Sequence, residues 1–214
     1  MSSMTKYPDD TAHKVLMTAM SMFGTEGVDA VSLRRINTES GTANTSAVHY
    51  YFSNKDGLVQ AIIDFLHEKI WHPALVELQD LVAEEPDLRT VLEVGLWPGK
   101  QVLLKESWGI DAQSFCFQVI TGLRNDYRLA FKKITDPQVT LMIRALRELL
   151  PEISEETLKQ RIKFLMTEAL VGHWTRTRIM HAVGLPNWTE RIEQIYYDEY
   201  IDYTMGGLLA PSSR

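Results

Sequence analysis

Thr45, Ser46, His49, Tyr50, Tyr51 and Lys55 fall within the run TSAVHYYFSNK, which sets hydroxyls, an imidazole, two phenols and an ammonium around the apolar Val48 and Phe52. Short donors of these types suit phosphate oxygens and base edges at the surface of a duplex. Arg34 and Arg35 lie a short way upstream, and a bidentate arginine–guanine contact is worth about 1–3 kcal/mol of discrimination. If Thr45 to Phe52 is helical, Ala47, Val48, Tyr51 and Phe52 share one side, and Thr45, Ser46, His49 and Tyr50 occupy the rest. Val48 and Phe52 then belong to a core and the polar set faces outward. Tyr51 does both, with its ring packed and its hydroxyl exposed.

Catalytic chemistry has no comparable foothold. The histidines His13, His49, His67, His72, His173 and His181 form no HExxH and no pair at i, i+4, so no metal site is expected. No GxSxG, GxxxxGK[ST] or GxGxxG occurs, and Cys116 lies in the apolar run SFCFQVI with no evident base. Neither a catalytic residue nor a cofactor is expected.

The elements that position the polar cluster are helices. Val15, Leu16, Ala19, Met20 and Phe23 make one wide apolar face of a first helix, which should stop at Gly27. Ser32 is placed to cap a short second helix with Leu33 and Ile36 inward and the two arginines partly outward. Gly41 interrupts it, and Asn44 or Thr45 offers the oxygen that starts the third. This is a bracing helix, a glycine turn and a polar short helix, the arrangement of a helix-turn-helix, in which the second helix enters the major groove. Three helices packed with no ligand satisfy the same pattern. A fourth helix should run from Lys55 to about His72, before Pro73. Helix follows helix beyond it, with breaks expected at Pro86, WPGK, Trp108-Gly109, Asp136-Pro137 and Pro151. Two late segments, Ser154 to Gly184 and Asn187 to Leu208, carry broad apolar stripes that serve a helix–helix interface or an intrachain core equally well. No β alternation competes, so the fold class is all-α.

Composition and charge bound the partners. The chain of 214 residues has 45% hydrophobic and 23% charged side chains, with a net charge of -6. Residues 1–60 hold five basic side chains (Lys6, Lys14, Arg34, Arg35, Lys55) against six acidic ones (Asp9, Asp10, Glu26, Asp29, Glu39, Asp56), which permits a small basic patch and not a broad one. A helical adaptor whose first domain does not bind DNA is the competing reading. The single cysteine excludes an internal disulfide and fits a reducing cytoplasm, and no apolar run suggests a membrane span or an export signal.

The run from Val15 to Ile62, with MSMFGTEGVDAVSLRRI and then SGTANTSAVHYYFSNKDGLV, resembles the DNA-binding domain of TetR-type transcriptional regulators. Phe23, Gly27, Ile36, Gly41, Val48, Tyr51, Phe52, Lys55 and Leu58 match that family's pattern. One departure is that Gly41 lies eleven positions before Phe52 where many members have ten, which puts an extra residue around Thr42 to Asn44. The resemblance implies a TetR-like fold of about nine helices, with a helix-turn-helix domain over 1–56 and an effector-binding and dimerisation domain over 57–214. It implies phosphate contacts from His49, Tyr51 and Lys55, and base or phosphate contacts from Arg34, Thr45, Ser46 and Tyr50, while Arg35, beside Arg34 on the bracing helix, is placed to reach DNA from the side. It implies an operator in double-stranded DNA, a homodimer formed through the two C-terminal helices, a small-molecule effector and a repressor role. Phe115, Phe117, Tyr127 and Phe131 sit where the effector pocket would be expected, with Arg124 or His173 placed to orient a polar group on the ligand.

Overall fold

The computed structural model describes residues 10–42, 46–96, 106–169 and 190–211, without the side chains of 190–196. Among these residues every regular element is a helix, as the apolar periodicity predicts. They fall into two compact units, residues 1–69 with 101–134 and residues 70–100 with 135–214. In the first unit the fourth helix and two later helical segments pack with the N-terminal helices.

In the first unit, α1 (Asp10–Glu26) buries Ala12, Val15, Leu16, Ala19, Met20 and Phe23 along the face seen in the sequence. It ends where Gly27 takes φ +88° and donates its N–H to the Phe23 carbonyl at 2.9 Å. α2 (Leu33–Glu39) starts on Ser32, whose Oγ accepts the Arg35 N–H at 3.3 Å. α3 (Ala47–Phe52) and α4 (Lys55–Leu66) follow, the latter capped by Asn54 Oδ1 on Gly57 N at 2.9 Å. α1 crosses α7 (Gly109–Thr121) at Gly24, where a Cβ would lie 2.8 Å from Ser114 Cβ and 2.9 Å from the Phe115 nitrogen. Only a residue without a side chain lets the two backbones approach so closely. Phe23 and Phe115 pack tilted across this crossing, 6.5 Å between centroids.

Two expected helix ends are corrected. The fourth helix does not stop before Pro73. A single π turn, His67–Trp71, follows Leu66, and α5 (His72–Val82) continues from it with Pro73 in its first turn, where its missing N–H is not needed. Asp136-Pro137 does not break the chain either, since α8 (Asn125–Leu149) runs through Pro137. The helix is held by burial on both sides of the proline, by Tyr127 and Phe131 before it and by Gln138, Met142, Ala145 and Leu146 after it. Packing of that extent offsets the roughly 3 kcal/mol that an interior proline costs.

The second unit contains α5, α6 (Leu88–Leu96), the later part of α8, α9 (Glu155–Thr167) and α10 (Glu190–Leu209). Leu92, Met142, Leu146, Leu158 and Ile201 lie at the centre of its core. Met142 fills the space over Gly95, where a Cβ would come within 2.6 Å of its Cγ and Sδ. The Gln138 amide, 1% exposed, donates to the Gly95 carbonyl at 2.9 Å. Ser154 caps α9 as expected, its Oγ accepting Thr157 N at 3.2 Å. Tyr197 and Tyr200 dock α10 by donating to the carbonyls of Glu93 (2.9 Å) and Leu165 (3.0 Å). The stretch of the first late segment from 170 onward, His173 included, lies outside the described residues, as do the WPGK break and the side chains of Ile192, Ile195 and Tyr196. No helix among the described residues is long and apolar enough to cross a membrane.

Candidate nucleic-acid interface

α3 has six residues, too few to be stable alone, so its position depends on what its neighbours supply. Ala47 and Val48 are wholly buried and Phe52 nearly so, which fixes the inner side. Its first turn is capped from another helix. Asn37 on α2, 6% exposed, points Oδ1 at the Val48 N–H, 3.1 Å away, while Ser46 makes no side-chain cap bond. Asn37 also anchors the turn, its carbonyl accepting Ser40 Oγ at 3.0 Å. Gly41 takes φ +64° with open space around it, so glycine is needed there for the left-handed backbone alone. Thr45 and Asn44, expected to cap the helix, lie outside the described residues, as does most of the interval that holds the extra residue.

At the other end Ser53 adopts φ +67°, a conformation uncommon outside glycine, and donates its N–H to the His49 carbonyl at 3.2 Å. His49 Nδ1 lies 2.8 Å from the Ser53 carbonyl. A carbonyl only accepts, so Nδ1 carries the proton and Nε2 is left for an outside partner. Asn54 N then donates to the Phe52 carbonyl at 2.8 Å, and α4 begins so close to it that a Cβ on Gly57 would lie 2.1 Å from that oxygen. The end of α3 and the start of α4 are thus one tight corner.

The division read from helical phase is observed. Ser46, His49 and Tyr50 are exposed, Tyr50 at 76%, while Tyr51 is half-buried with its ring edge-on to that of Tyr50 at 4.7 Å. The cations differ from one another more than the sequence suggests. Arg35 is exposed, but its two terminal nitrogens grip the Glu26 carboxylate at 2.6 Å each, and this hydrogen bonding holds the Glu26 carboxyl below the usual carboxylate range. Lys55 stands at the start of α4 as expected, half-buried, with Nζ donating to the Val28 carbonyl at 3.0 Å. Lys14 pairs with Asp10. Arg34 is exposed and its guanidinium has no hydrogen-bond or ion-pair partner among the described residues. The local positive charge on this face is carried mainly by that one side chain.

The candidate effector residues are not gathered around a described cavity. Phe115 is fully buried against Phe23, Phe131 is 5% exposed, and Phe117 is half-buried. Arg124 is held by carboxylates, donating to Asp126 at 2.9 and 2.5 Å and to Asp56 at 3.2 Å, and it lies over the Tyr127 ring. The Tyr127 hydroxyl donates to Asp56 at 2.5 Å. Two cavities among the described residues of the second unit, an open cleft of about 990 Å³ beside Ser154, Arg161 and Phe164 and a smaller one of about 200 Å³ beside Pro86 and Leu149, are lined by none of the described candidates. Among the described residues no three His, Cys, Asp or Glu side chains converge to hold a metal.

Three residues that shape the face were not singled out from sequence. Asn37 follows the inward Ile36, and a polar residue in the inward phase of a short helix was the available signal. Gly57 reads as an ordinary glycine within a helix start. Asp56 meets Tyr127 across 71 positions, and nothing local marks that pairing.

Residues 15–62 match the family model described as "Bacterial regulatory proteins, tetR family". No curated protein matches the chain significantly by sequence. Among solved structures, HlyIIR, described as a hemolysin II transcriptional regulator, is similar over 81% of this chain and 93% of its own, at 17% identity and a TM-score of 0.56. A HlyIIR mutant carrying a linker with two thrombin sites is similar over 94% of this chain and 98% of its own, at 16% identity and a TM-score of 0.61. At such identities these two structures speak for the shared fold, and the matched domain speaks for the interface. The chain thus carries, at residues 15–62, a domain matching the DNA-binding domain of TetR-type regulators, within an all-helical fold shared with the two HlyIIR structures.

Proposed function

We propose that the chain is a sequence-specific repressor that binds a double-stranded DNA operator as a homodimer and is released from it by a small-molecule effector. The observation that carries the reading is the α2–α3 corner. A six-residue helix is held by Asn37 and by its buried side, and it presents Ser46, His49 and Tyr50 outward beside an uncommitted Arg34. In a helix-turn-helix the residues at the start of the second helix approach the base edges while the flanks touch phosphate. Thr45, Ser46 and Tyr50 take the first role with Arg34, and His49, Tyr51 and Lys55 the second, with Arg35 bracing from the side through Glu26.

The dimer is formed through the C-terminal helices. Phe164 on α9 is 72% exposed and Tyr203 on α10 is 77% exposed, large apolar surface that a monomer leaves in water. Two copies related by a two-fold axis would set their α3 helices about 34–36 Å apart, one turn of duplex. An effector lowers operator affinity only if it binds better to a dimer geometry that misplaces this spacing. The cytoplasm, where operator and effector are both available, is the compartment this role requires.

The division of roles is tested by substitution. Arg34→Ala should weaken binding to the preferred sequence and relax choice among sequences. Lys55→Ala should weaken binding to all duplexes alike and lower the salt slope by about one. Equal, sequence-blind losses from both would refute the assignment.

A further inference from the structure

We infer that Asp56, Arg124 and Tyr127 form a latch that sets the aim of α3, and that they act as positioning residues for DNA recognition without touching DNA. The inference rests on the reading of α3 as the DNA-reading helix and adds to it a specific mechanical support.

Asp56 is the second residue of α4, between Lys55 and Gly57. Its Oδ1 accepts from the Tyr127 hydroxyl at 2.5 Å and from Arg124 Nη2 at 3.2 Å. Both donors stand at the beginning of α8, and Arg124 is itself fixed by Asp126 and by the Tyr127 ring, 4.3 Å below its guanidinium carbon. The Tyr127 ring is 6% exposed, so the hydroxyl is presented from a packed base and has little freedom to follow Asp56 if α4 moves.

The next residue transmits that position. Gly57 backs onto the Phe52 carbonyl with no room even for a methyl group, and Phe52 is the last residue of α3. A displacement of the start of α4 by a few tenths of an ångström therefore displaces the end of α3, together with Ser53 and the His49 ring bonded to it. A second effect is electrostatic. Asp56 is the nearest acid in sequence to the cluster and its side chain is 64% exposed. An uncompensated carboxylate there would repel phosphate, and Arg124, shared with Asp126, offsets part of that charge. Exposed ion pairs contribute little to global stability, whereas a recognition helix misplaced by about 1 Å loses its base contacts. The latch is thus built to affect recognition more than folding.

The test uses the full chain and the duplex that the wild-type protein selects from a random pool, with a scrambled duplex of equal length as the non-specific reference. Tyr127→Phe keeps the packed ring and deletes the donor. It should weaken the selected duplex by about three- to tenfold while leaving the scrambled duplex and the melting temperature nearly unchanged. Asp56→Ala, which removes the Arg124 bond as well, should lose at least as much, and the double variant should lose no more than Asp56→Ala alone, because the tyrosine hydroxyl then has no bond left to lose. Asp56→Asn, which keeps an acceptor for the tyrosine, should restore most of the lost selectivity. Wild-type affinity in both single variants overturns the latch. So does a loss shared by both duplexes in step with the melting temperature, which marks a purely structural role. A wild-type chain that selects no duplex overturns the DNA-reading assignment and the latch with it; selection without any effect of Tyr127→Phe overturns the latch alone.

Discussion

Replacing Asn37 by alanine removes the side-chain oxygen that caps α3 among the described residues. Val48 is wholly buried and Asn37 is 6% exposed, so the Val48 N–H cannot turn to water when Oδ1 is gone. A buried donor left unsatisfied costs about 1–3 kcal/mol, against about 1 kcal/mol for an ordinary N-cap deletion. For a chain of this size each kcal/mol lowers the melting midpoint by about 2–4 °C, so a fall of about 2–12 °C is expected. The local consequence is larger than the global one, because a six-residue helix has no propensity reserve. Affinity for the selected duplex should drop at least tenfold. Asn37→Asp keeps an acceptor and places it at the positive end of α3, so part of both losses should return. The assays are thermal unfolding followed by circular dichroism and duplex binding followed by fluorescence anisotropy. An Asn37→Ala chain that melts and binds like wild type would refute the reasoning that α3 is held by a borrowed cap.

Two glycines should fail for different reasons. Gly57→Ala places a Cβ 2.1 Å from the Phe52 carbonyl oxygen and should cost more than about 2 kcal/mol in chemical denaturation while abolishing DNA binding. Gly41→Ala meets open space and is strained only by φ +64°, so it should cost about 1 kcal/mol. Cys116 is buried and desolvation pushes its thiol up to about 12, so Ellman's reagent at pH 8 should leave the native chain unlabelled and label one thiol after denaturation. Asp126 is held at about 2, chiefly by its hydrogen bonds from Arg124, and Asp56 is held below its ordinary range, chiefly by Tyr127 and then Arg124. Carboxyls depressed in the folded state stabilise above their unfolded pKa near 4 and lose that contribution as pH falls toward 2. Melting temperature should therefore decline over that window, and less steeply in Arg124→Gln.

Much of this architecture is legible in the residues. The inward face of α1, the Gly27 stop, the Ser32 and Ser154 caps and the split of TSAVHYYF into inner and outer sides all follow from periodicity and capping chemistry, which are local. What is not legible depends on distant partners. Lys55 and Arg35 look alike as exposed cations until the Val28 carbonyl and the Glu26 carboxylate claim them. Pro137 reads as a break because its cost is local and the burial that offsets it is not. The bonds of Arg124 and Tyr127 to Asp56 are hidden in the same way, since the aspartate lies 68 positions from the arginine in sequence.

The most direct test of the central claim is the affinity of the full wild-type chain for its selected duplex and for a scrambled one, measured from about 50 to 200 mM salt. The account predicts that both affinities fall linearly on logarithmic axes, and that the selected duplex stays tighter by at least about a thousandfold. Equal affinities for the two duplexes, or binding that does not respond to salt, would contradict it.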